Sequence, residues 1–263
     1  MKFYNITLIF IFLASFSFAQ TNTTSDAKSK ALIGLLEEVN GGWNTLLKMK
    51  DVEYTYVYED LGKKAKDVSV ERYIFNGETS WAKYEEHNVN VMPGKEGEVV
   101  QCLIGGKPSI THEGNKIETP EALGSTAFLR HANFYWFTMM YKLSDPGIIA
   151  TYLGEETYNG VNYDKVSIKY ENTGKAADDE YILYFNPQTH LVDVFYFSLP
   201  AMGVNKPMLR MELEYEKIDG IYISTTRRGI YPNQQGEYQP GGVYTYSNVK
   251  FNNGFTTEDL IVN

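Results

Sequence analysis

The sequence contains only one cysteine, Cys102, among its 263 residues. A single thiol cannot form a disulfide within the chain, so the hydrophobic core has to stabilise the fold. Cys102 lies in the segment "EVVQCLI", which has the character of a strand. We therefore expect it to be a small buried apolar residue without a catalytic role.

Positive charge is also scarce. The chain has 24 Lys and Arg against 33 Asp and Glu, which gives a net charge of −9 and a pI near 5.1. Nucleic acids and anionic membranes attract basic patches, so neither is expected as a partner. Tyrosine, by contrast, is abundant, with 21 Tyr against 3 Trp. Tyrosine suits strands that have one dry and one wet face.

The motifs of common catalytic sites are missing. There is no Gly-x-Ser-x-Gly, no P-loop and no Gly-x-Gly-x-x-Gly after a strand. The histidines at positions 87, 112, 131 and 190 are scattered, and none has a second ligand at metal-binding spacing. Arg227-Arg228 is a candidate phosphate contact, but adjacent strand residues face opposite ways. We therefore expect no enzyme, no metal and no cofactor.

The N-terminus has the pattern of a secretory signal peptide over residues 1–19. Lys2 precedes an uncharged run from Ile6 to Phe18, and Ser17-Phe18-Ala19 forms a small-x-small cleavage site. The run is short for a membrane anchor, which is the alternative. No cysteine adjoins the cleavage site to carry a lipid. The pattern predicts a soluble protein, periplasmic or secreted, with disordered residues 20–30 and one domain over 31–263.

Near the start of this domain, apolar residues recur at helical spacing. They are Leu32, Leu35, Leu36, Val39, Trp43, Leu46 and Leu47. Asn40-Gly41-Gly42 interrupts this stripe, and glycine is unfavourable inside a helix. The pattern therefore predicts two helical pieces that pack one stripe onto the rest of the domain.

From Val52 onward the apolar residues alternate with period two, which is typical of strands. Asn76-Gly77, Asn159-Gly160 and Asp219-Gly220 each separate two strand-like segments, and these dipeptides favour tight hairpin turns. No alternation of strands with helices indicates a parallel sheet. The sequence predicts a mainly β, α+β fold with an antiparallel meander.

A second helix is predicted in the middle of the chain. Thr119 is suited to the N-cap, Pro120 to the first helical position, and Asp145-Pro146-Gly147 to the stop. This helix contains "FYWFTMMY", Phe134 to Tyr141, which is apolar on every side. Eight residues are too few to cross a bilayer, which takes about twenty, and a surface helix keeps one polar face. The segment is therefore either plain core or the cover of an apolar cavity.

Two strand segments are apolar on both faces, namely "YILYF" (181–185) and "LVDVFYFS" (191–198). A sheet that is hydrophobic on both sides must be covered on both sides. By contrast, "MLRMELEYEK" alternates cleanly between polar and apolar residues. We predict that the double-sided strands form the middle of the sheet and that the two helices supply the second cover.

Several segments resemble the outer-membrane lipoprotein carrier (LolA-like) superfamily. "LSDPGIIATYLGEE" is similar to the segment after its lid helices, and "YSNVKFNNGF" to its closing strand. "EVNGGWNTLLKMKDVEYTY", "NFYWFTMMYKLSDPG" and "YILYFNPQTHLVD" look like an uncharacterised exported bacterial family grouped near it. The resemblance implies that residues 31–263 form a strongly curved antiparallel half-barrel whose concave face is covered by an N-terminal and a mid-chain helix. The carriers also keep an early-strand arginine that hydrogen-bonds the lid, for which Arg72 is the candidate.

The resemblance and the aromatic helix together predict a periplasmic binding or carrier protein for a lipid, an acyl chain or an acylated protein. Aromatic and Met side chains adapt to a flexible chain. The expected ligand-binding residues are Phe134, Tyr135, Trp136, Phe137, Met139, Met140 and Tyr141. The alternative is a non-catalytic structural or regulatory envelope module that binds another protein.

Overall fold

The computed structural model of the protein describes residues 24–171 and 179–262. The predicted signal peptide, residues 1–19, lies outside these ranges, as do the first residues of the segment predicted to be disordered. Within the described ranges, no helix combines the length and the apolar character that a membrane crossing needs.

Three helices are present: α1 (Ala27–Asn40), α2 (Gly42–Met49) and α3 (Pro120–Thr138), and α3 continues into a 3-10 turn (Met139–Tyr141). Gly41, with φ of 92°, separates α1 from α2 at the predicted break. The cap residues predicted for α3 are confirmed: the Thr119 side chain accepts a hydrogen bond from the Ala122 amide at 3.4 Å.

The expectation that residues 20–30 are disordered is wrong for the part that is described. Asp26 caps α1 by accepting a hydrogen bond from the Ser29 amide at 2.9 Å, and it also accepts one from the Tyr152 amide at 2.6 Å. The Ser25 hydroxyl accepts a third from the Ala150 amide at 2.9 Å. These polar side chains cap the helix and join the start of the domain to a strand. Their polar character therefore comes from these contacts and does not indicate disorder.

Thirteen strands form one antiparallel sheet. They are β1 (Asp51–Asp60), β2 (Ala65–Ile74), β3 (Thr79–His87), β4 (Val99–Ile104), β5 (Lys107–His112), β6 (Asn115–Lys116), β7 (Ile148–Tyr158), β8 (Val161–Tyr170), β9 (Tyr181–Phe185), β10 (Val192–Leu199), β11 (Val204–Ile218), β12 (Ile221–Pro232) and β13 (Tyr238–Phe251). Short 3-10 turns lie at Pro200–Met202 and Glu258–Leu260.

The first and the last strand, β1 and β13, lie side by side in the middle of this sheet. The strand order is β6-β5-β4-β3-β2-β1-β13-β12-β11-β10-β9-β8-β7, so β1 to β6 run outward to one edge. Helix α3 follows β6 in the chain, and β7 begins the return from the other edge toward β13. In the described part of the chain the two edge strands, β6 and β7, are not paired with each other, so the sheet is an open half-barrel. The predicted meander and its hairpins are confirmed.

The position predicted for the double-sided strands is wrong. β9 and β10 lie near the β7 edge, and the middle is formed by β1 and β13. Contrary to the prediction, no helix of the described residues covers the second face of β9 and β10. Instead, Tyr163, Tyr184 and Val194 form a small buried cluster there with residues of neighbouring strands. Tyrosines of adjacent strands cover one another there, which a pattern within one strand does not reveal.

Two larger hydrophobic clusters lie between the sheet and the helices. We call the first the central cluster; it includes Tyr54, Tyr73, Phe75, Phe137 and Tyr246. The lateral cluster joins α1 and the end of the α3 segment to β8–β11, and it includes Leu36, Met139, Leu183, Phe195 and Met211. The end of α3 therefore separates two halves of the interior.

Candidate functional site

Helix α3 and its 3-10 turn together span Pro120–Tyr141, and the first half of this segment, which ends at Arg130, is fixed to the sheet by a buried ion pair. Arg130 is fully buried, and its Nη1 lies 2.5 Å from Oε2 of Glu71 on β2. Its Nη2 donates to the Tyr84 hydroxyl at 2.7 Å. Glu71 also accepts hydrogen bonds from Ser69 and Tyr73, each at 2.9 Å. A buried charge needs such partners, and here they set the position of the helix on β2 and β3.

The second half of α3 is apolar on every side because it contacts both clusters. Phe137 stacks on Tyr54, with ring centroids 5.1 Å apart, and also contacts Tyr246 at 5.7 Å in the central cluster. On the other side, Trp136 stacks on Phe195 at 5.4 Å. Burial on two sides accounts for the missing polar face.

A cleft of about 410 Å³ opens beside this half of the helix. Its walls are α3, the segment from Lys142 to Ile148, and residues of β8, β9 and β10. The exposed side chains of Phe128 and His131 stand at its edge, so the cleft communicates with solvent. Besides Phe128, the apolar and aromatic lining residues are Ala132, Tyr135, Trp136, Met139, Leu143, Pro146, Ile148, Tyr170, Tyr181 and Leu199.

Two tyrosines in the cleft present neutral hydroxyls. Burial, with Tyr181 and Tyr170 nearby, raises the pKa of Tyr135 well above its ordinary value, and its hydroxyl is hydrogen-bonded to that of Tyr170. Burial and the neighbouring Asp179 likewise raise the pKa of Tyr181. Both side chains therefore stay protonated at neutral pH, which keeps the floor of the cleft uncharged.

The charged groups lie at the mouth of the cleft. Lys142 forms ion pairs with Glu78 and, at 3.6 Å, with Asp145, and its Nζ lies 4.6 Å from the Trp43 ring centroid. Burial raises the pKa of Asp145, although Lys142 opposes this shift. Asp179 is a further lining residue. The mouth is thus acidic on balance, and its one lysine is engaged with carboxylates.

A second, much smaller space lies deeper, which we call the inner void. It measures about 20 Å³, and its lining includes Ser224, Arg227, Trp136, Met139 and Tyr215. Arg227 is 4% exposed, and its Nη1 donates to the backbone carbonyl of Trp136 at 3.0 Å. Its Nη2 donates to the Tyr246 hydroxyl. A buried guanidinium therefore contacts the backbone of the aromatic helix from below.

The structure separates the predicted ligand-binding residues into two groups. Tyr135, Trp136 and Met139 line the cleft. Phe137, Met140 and Tyr141 border only the inner void, and Phe134 packs on Tyr73 with ring centroids 5.3 Å apart. The last four residues are buried in the two hydrophobic clusters. Their assignment to a ligand remains a prediction, and the cleft favours the first three.

Arg72 is not the arginine that contacts the helical cover. It pairs with Glu53 at 2.7 Å and lies over the rings of Trp81 and Phe255. Arg130 and Arg227 hold α3 instead. Sequence reasoning missed both, because Arg130 and Glu71 are 59 residues apart. It did predict that Arg227 and Arg228 face opposite sides of a strand. Arg228 is exposed and pairs with Glu214, whereas Arg227 is buried.

Within residues 24–171 and 179–262, no cluster of three or more His, Cys, Asp or Glu is placed to hold a metal ion. His87, for example, is buried and hydrogen-bonded to the backbone carbonyls of Val91 and Gly97 at 3.0 and 2.8 Å. Its role there is structural. Cys102 is buried as predicted, and burial raises the pKa of its thiol.

The chain is similar in structure to two solved proteins. One is a DUF1329 family protein from Desulfovibrio piger, with 15% identity, a TM-score of 0.56, and coverage of 89% of this chain and 99% of that one. The other is a LolA superfamily protein from Nitrosomonas europaea, with 11% identity, a TM-score of 0.52, and coverage of 89% and 97%. At such identities the similarity establishes the fold alone. The predicted LolA-like fold is therefore confirmed.

Sequence comparison matches only part of the chain. The model of DUF6503, described as a family of unknown function, matches residues 121–217, a stretch that runs from α3 into β11. No curated protein matches the chain. The matched stretch includes most of the cleft and the lateral cluster.

Proposed function

We propose that the protein is an exported, non-catalytic carrier that binds a lipid or an acyl chain in the cleft beside α3. The observation that carries this proposal is the cleft itself, a mainly apolar space of about 410 Å³ beside α3. Small-molecule sites span about 300–1,000 Å³ and are mostly apolar with a few polar groups. The signal-like N-terminus supports export, and the LolA-like fold is compatible with both statements.

The size of the cleft limits what it holds. The central cluster fills the space under one side of α3 with Tyr54, Tyr73, Phe75 and Phe137. The cleft lies on the other side of α3, which faces β8 and β9. We therefore expect a single acyl chain, free or attached to a larger partner that stays outside. Met139 and Leu143 in the wall can adapt to such a chain, since Met is flexible and polarizable.

A variant that fills the cleft tests the proposal. Ala132 lies on α3 in the cleft wall, so Ala132→Trp should occupy the space and abolish binding of a fluorescent fatty-acid probe. Ser125→Trp is the matched control, because Ser125 is an exposed residue of the same helix away from the cleft. We expect wild type and the control to bind the probe equally. Equal binding by Ala132→Trp would rule out the cleft as the site.

Native mass spectrometry of the protein purified from its host envelope distinguishes the two candidate functions. A bound lipid or acylated species supports the carrier. A stoichiometric protein partner, together with no probe binding, supports the structural or regulatory envelope module instead.

A further inference from the structure

Arg227 differs from every other arginine of the chain. Arg72, Arg130, Arg210 and Arg228 each lie within ion-pair distance of a carboxylate. In the described part of the chain, no carboxylate forms such a pair with Arg227, although it is 4% exposed. An arginine keeps its charge in a protein, and a buried charge without a counterion is unfavourable. The interior therefore holds one positive charge that lacks a negative partner.

The contacts that surround Arg227 compensate this charge only partly. It donates to the Trp136 carbonyl and the Tyr246 hydroxyl, and its guanidinium lies 4.8 Å from the Tyr246 ring centroid. Its Nε has no hydrogen-bond partner among the described residues, and the same holds for the buried Oγ of Ser224. Both residues line the inner void. Arg130 also has an unpartnered Nε, but Glu71 balances its charge, and it lines neither the cleft nor the inner void.

A bulge in β12 places these two groups together. Thr226 is opposite Glu214 and Ser224 is opposite Tyr215, so Thr225 is the extra residue. Because a bulge shifts the alternation of side chains, Ser224 and Arg227 both line one void although they are three residues apart. An unpartnered N–H and an unpartnered hydroxyl group therefore belong to two residues that line the same space. A carboxylate accepts hydrogen bonds from two such donors.

The inner void and the cleft are neighbours. Trp136 and Met139 line both spaces, so these two side chains form the partition between them. A rotation of the Trp136 and Met139 side chains would join the apolar cleft to the buried guanidinium. The combined space would be apolar along most of its length and positively charged at its inner end.

Charge at the mouth favours the same orientation of a ligand. Lys142 is engaged with Glu78 and Asp145, and Asp179 adds a further carboxylate. An anionic headgroup held at the mouth would lie beside these like charges. An anionic headgroup at the inner end would instead meet Arg227. A carboxylate is the smallest such headgroup and fits the small volume of the inner void best.

We propose that the cleft binds acyl chains that end in a carboxylate, with the headgroup inward, hydrogen-bonded by Arg227 and Ser224 after Trp136 moves aside. This inference rests on the proposed carrier function and specifies its ligand class.

Dodecanoate and its methyl ester are the probes, since they share a chain and differ in charge. Isothermal titration should give a dissociation constant for the acid about tenfold or more below that for the ester, because a hydrogen bond to a charged group is the stronger kind. Arg227→Met should remove this preference by weakening acid binding and leaving ester binding unchanged. Arg228→Met and Lys142→Met should both retain the preference.

The possible results lead to different conclusions. If wild type binds acid and ester equally, the headgroup assignment is wrong and the carrier proposal stands. If it binds neither, the carrier proposal fails first. A loss of preference in Lys142→Met would place the headgroup at the mouth and overturn the role of Arg227. A purely structural role of Arg227 would weaken both ligands equally in Arg227→Met. Should that variant not fold, the wild-type ratio and Lys142→Met still decide.

Discussion

A buried arginine lies under each half of α3, and the two arginines have different partners. Under the first half, Arg130 pairs with Glu71 and Tyr84 and fixes the helix on β2 and β3. Under the second half, Arg227 contacts a helix carbonyl and tyrosines, and no carboxylate of the described chain pairs with it. An ion pair therefore holds the first half. The second half lies beside a cleft and beside the Arg227 guanidinium, which has no carboxylate partner among the described residues.

This difference shows how one helix can be both anchor and cover. A helix held at every point by satisfied pairs could not open for a ligand, and one held nowhere would not define a cavity. Here the anchor precedes the aromatic segment by a single turn, from Arg130 to Phe134. We therefore expect the energetic cost of substitution to fall sharply along α3 and across its two sides.

The largest effect is expected at the anchored half. Glu71→Leu leaves Arg130 without its counterion, which should lower the free energy of unfolding by about 3–5 kcal/mol. The double variant Glu71→Leu with Arg130→Met should regain most of this loss, because a buried pair can be replaced by apolar groups. Urea unfolding of the three proteins measures both values. A mild single variant would show that the pair does not anchor the helix.

The two sides of the second half should also differ. Phe137→Ala removes a ring packed among Tyr54, Tyr73, Phe75 and Tyr246, so we expect a loss of about 3–5 kcal/mol. Trp136→Ala should cost less than that range, because one side of Trp136 faces the cleft. Thermal unfolding compares the two variants. Equal losses would mean that the Trp136 side is ordinary core.

Alkaline pH should destabilise the middle of the sheet. Burial raises the pKa of Tyr246 from 10.0 to about 12, although the Arg227 cation beside it lowers the pKa. Since the folded-state pKa is the higher one, the stabilisation is complete below pH 10 and is lost as the pH rises toward 12. Two pKa units correspond to about 2.7 kcal/mol. Urea unfolding across this range measures the loss, which should be smaller in Tyr246→Phe.

Arg227→Met should change the free energy of unfolding by less than about 1 kcal/mol, or increase it, since it replaces an unpaired buried charge with an apolar chain. Arg130→Met, which leaves Glu71 buried and unpaired, is the matched contrast and should be strongly destabilising. If the two variants were equally destabilised, the distinction between the two arginines would not hold.

A similarly small effect is expected for Cys102→Ser, which lies outside both halves of the comparison. Cys102 is 2% exposed, so a serine should cost about 1 kcal/mol for burying a more polar group. Probe binding should be unchanged in the folded variant. Loss of binding without loss of folding would indicate a functional thiol.

The parts of the fold that depend on local sequence could be predicted. Thr119 and Pro120 begin α3, Gly41 ends α1, and Asn76-Gly77 forms a hairpin, because caps and turns depend on a few adjacent residues. The order of strands could not be read in this way. β13 pairs with β1, so these two strands occupy the middle of the sheet and β9 and β10 lie nearer one edge. No pattern within these strands indicates that pairing.

The candidate site was predicted to a similar extent. The aromatic segment identified the helix beside the cleft, since an all-round apolar helix needs cover on more than one side. It did not show which side was open, because that depends on rings such as Tyr54 and Phe195 from distant strands. The inner void was not predicted either, since it depends on the bulge at Thr225 in β12.

The pairing of β1 with β13 has a consequence for how the protein folds. Val52 lies opposite Phe251, so the strands that join the two halves of the sheet are among the first and the last to be synthesised. Contacts of such long sequence separation slow folding. Until residues 238–251 are available, β1 and β12 both present unpaired edges, and exposed edges promote aggregation. A nascent chain is therefore prone to aggregation until the last strand of the sheet has been synthesised.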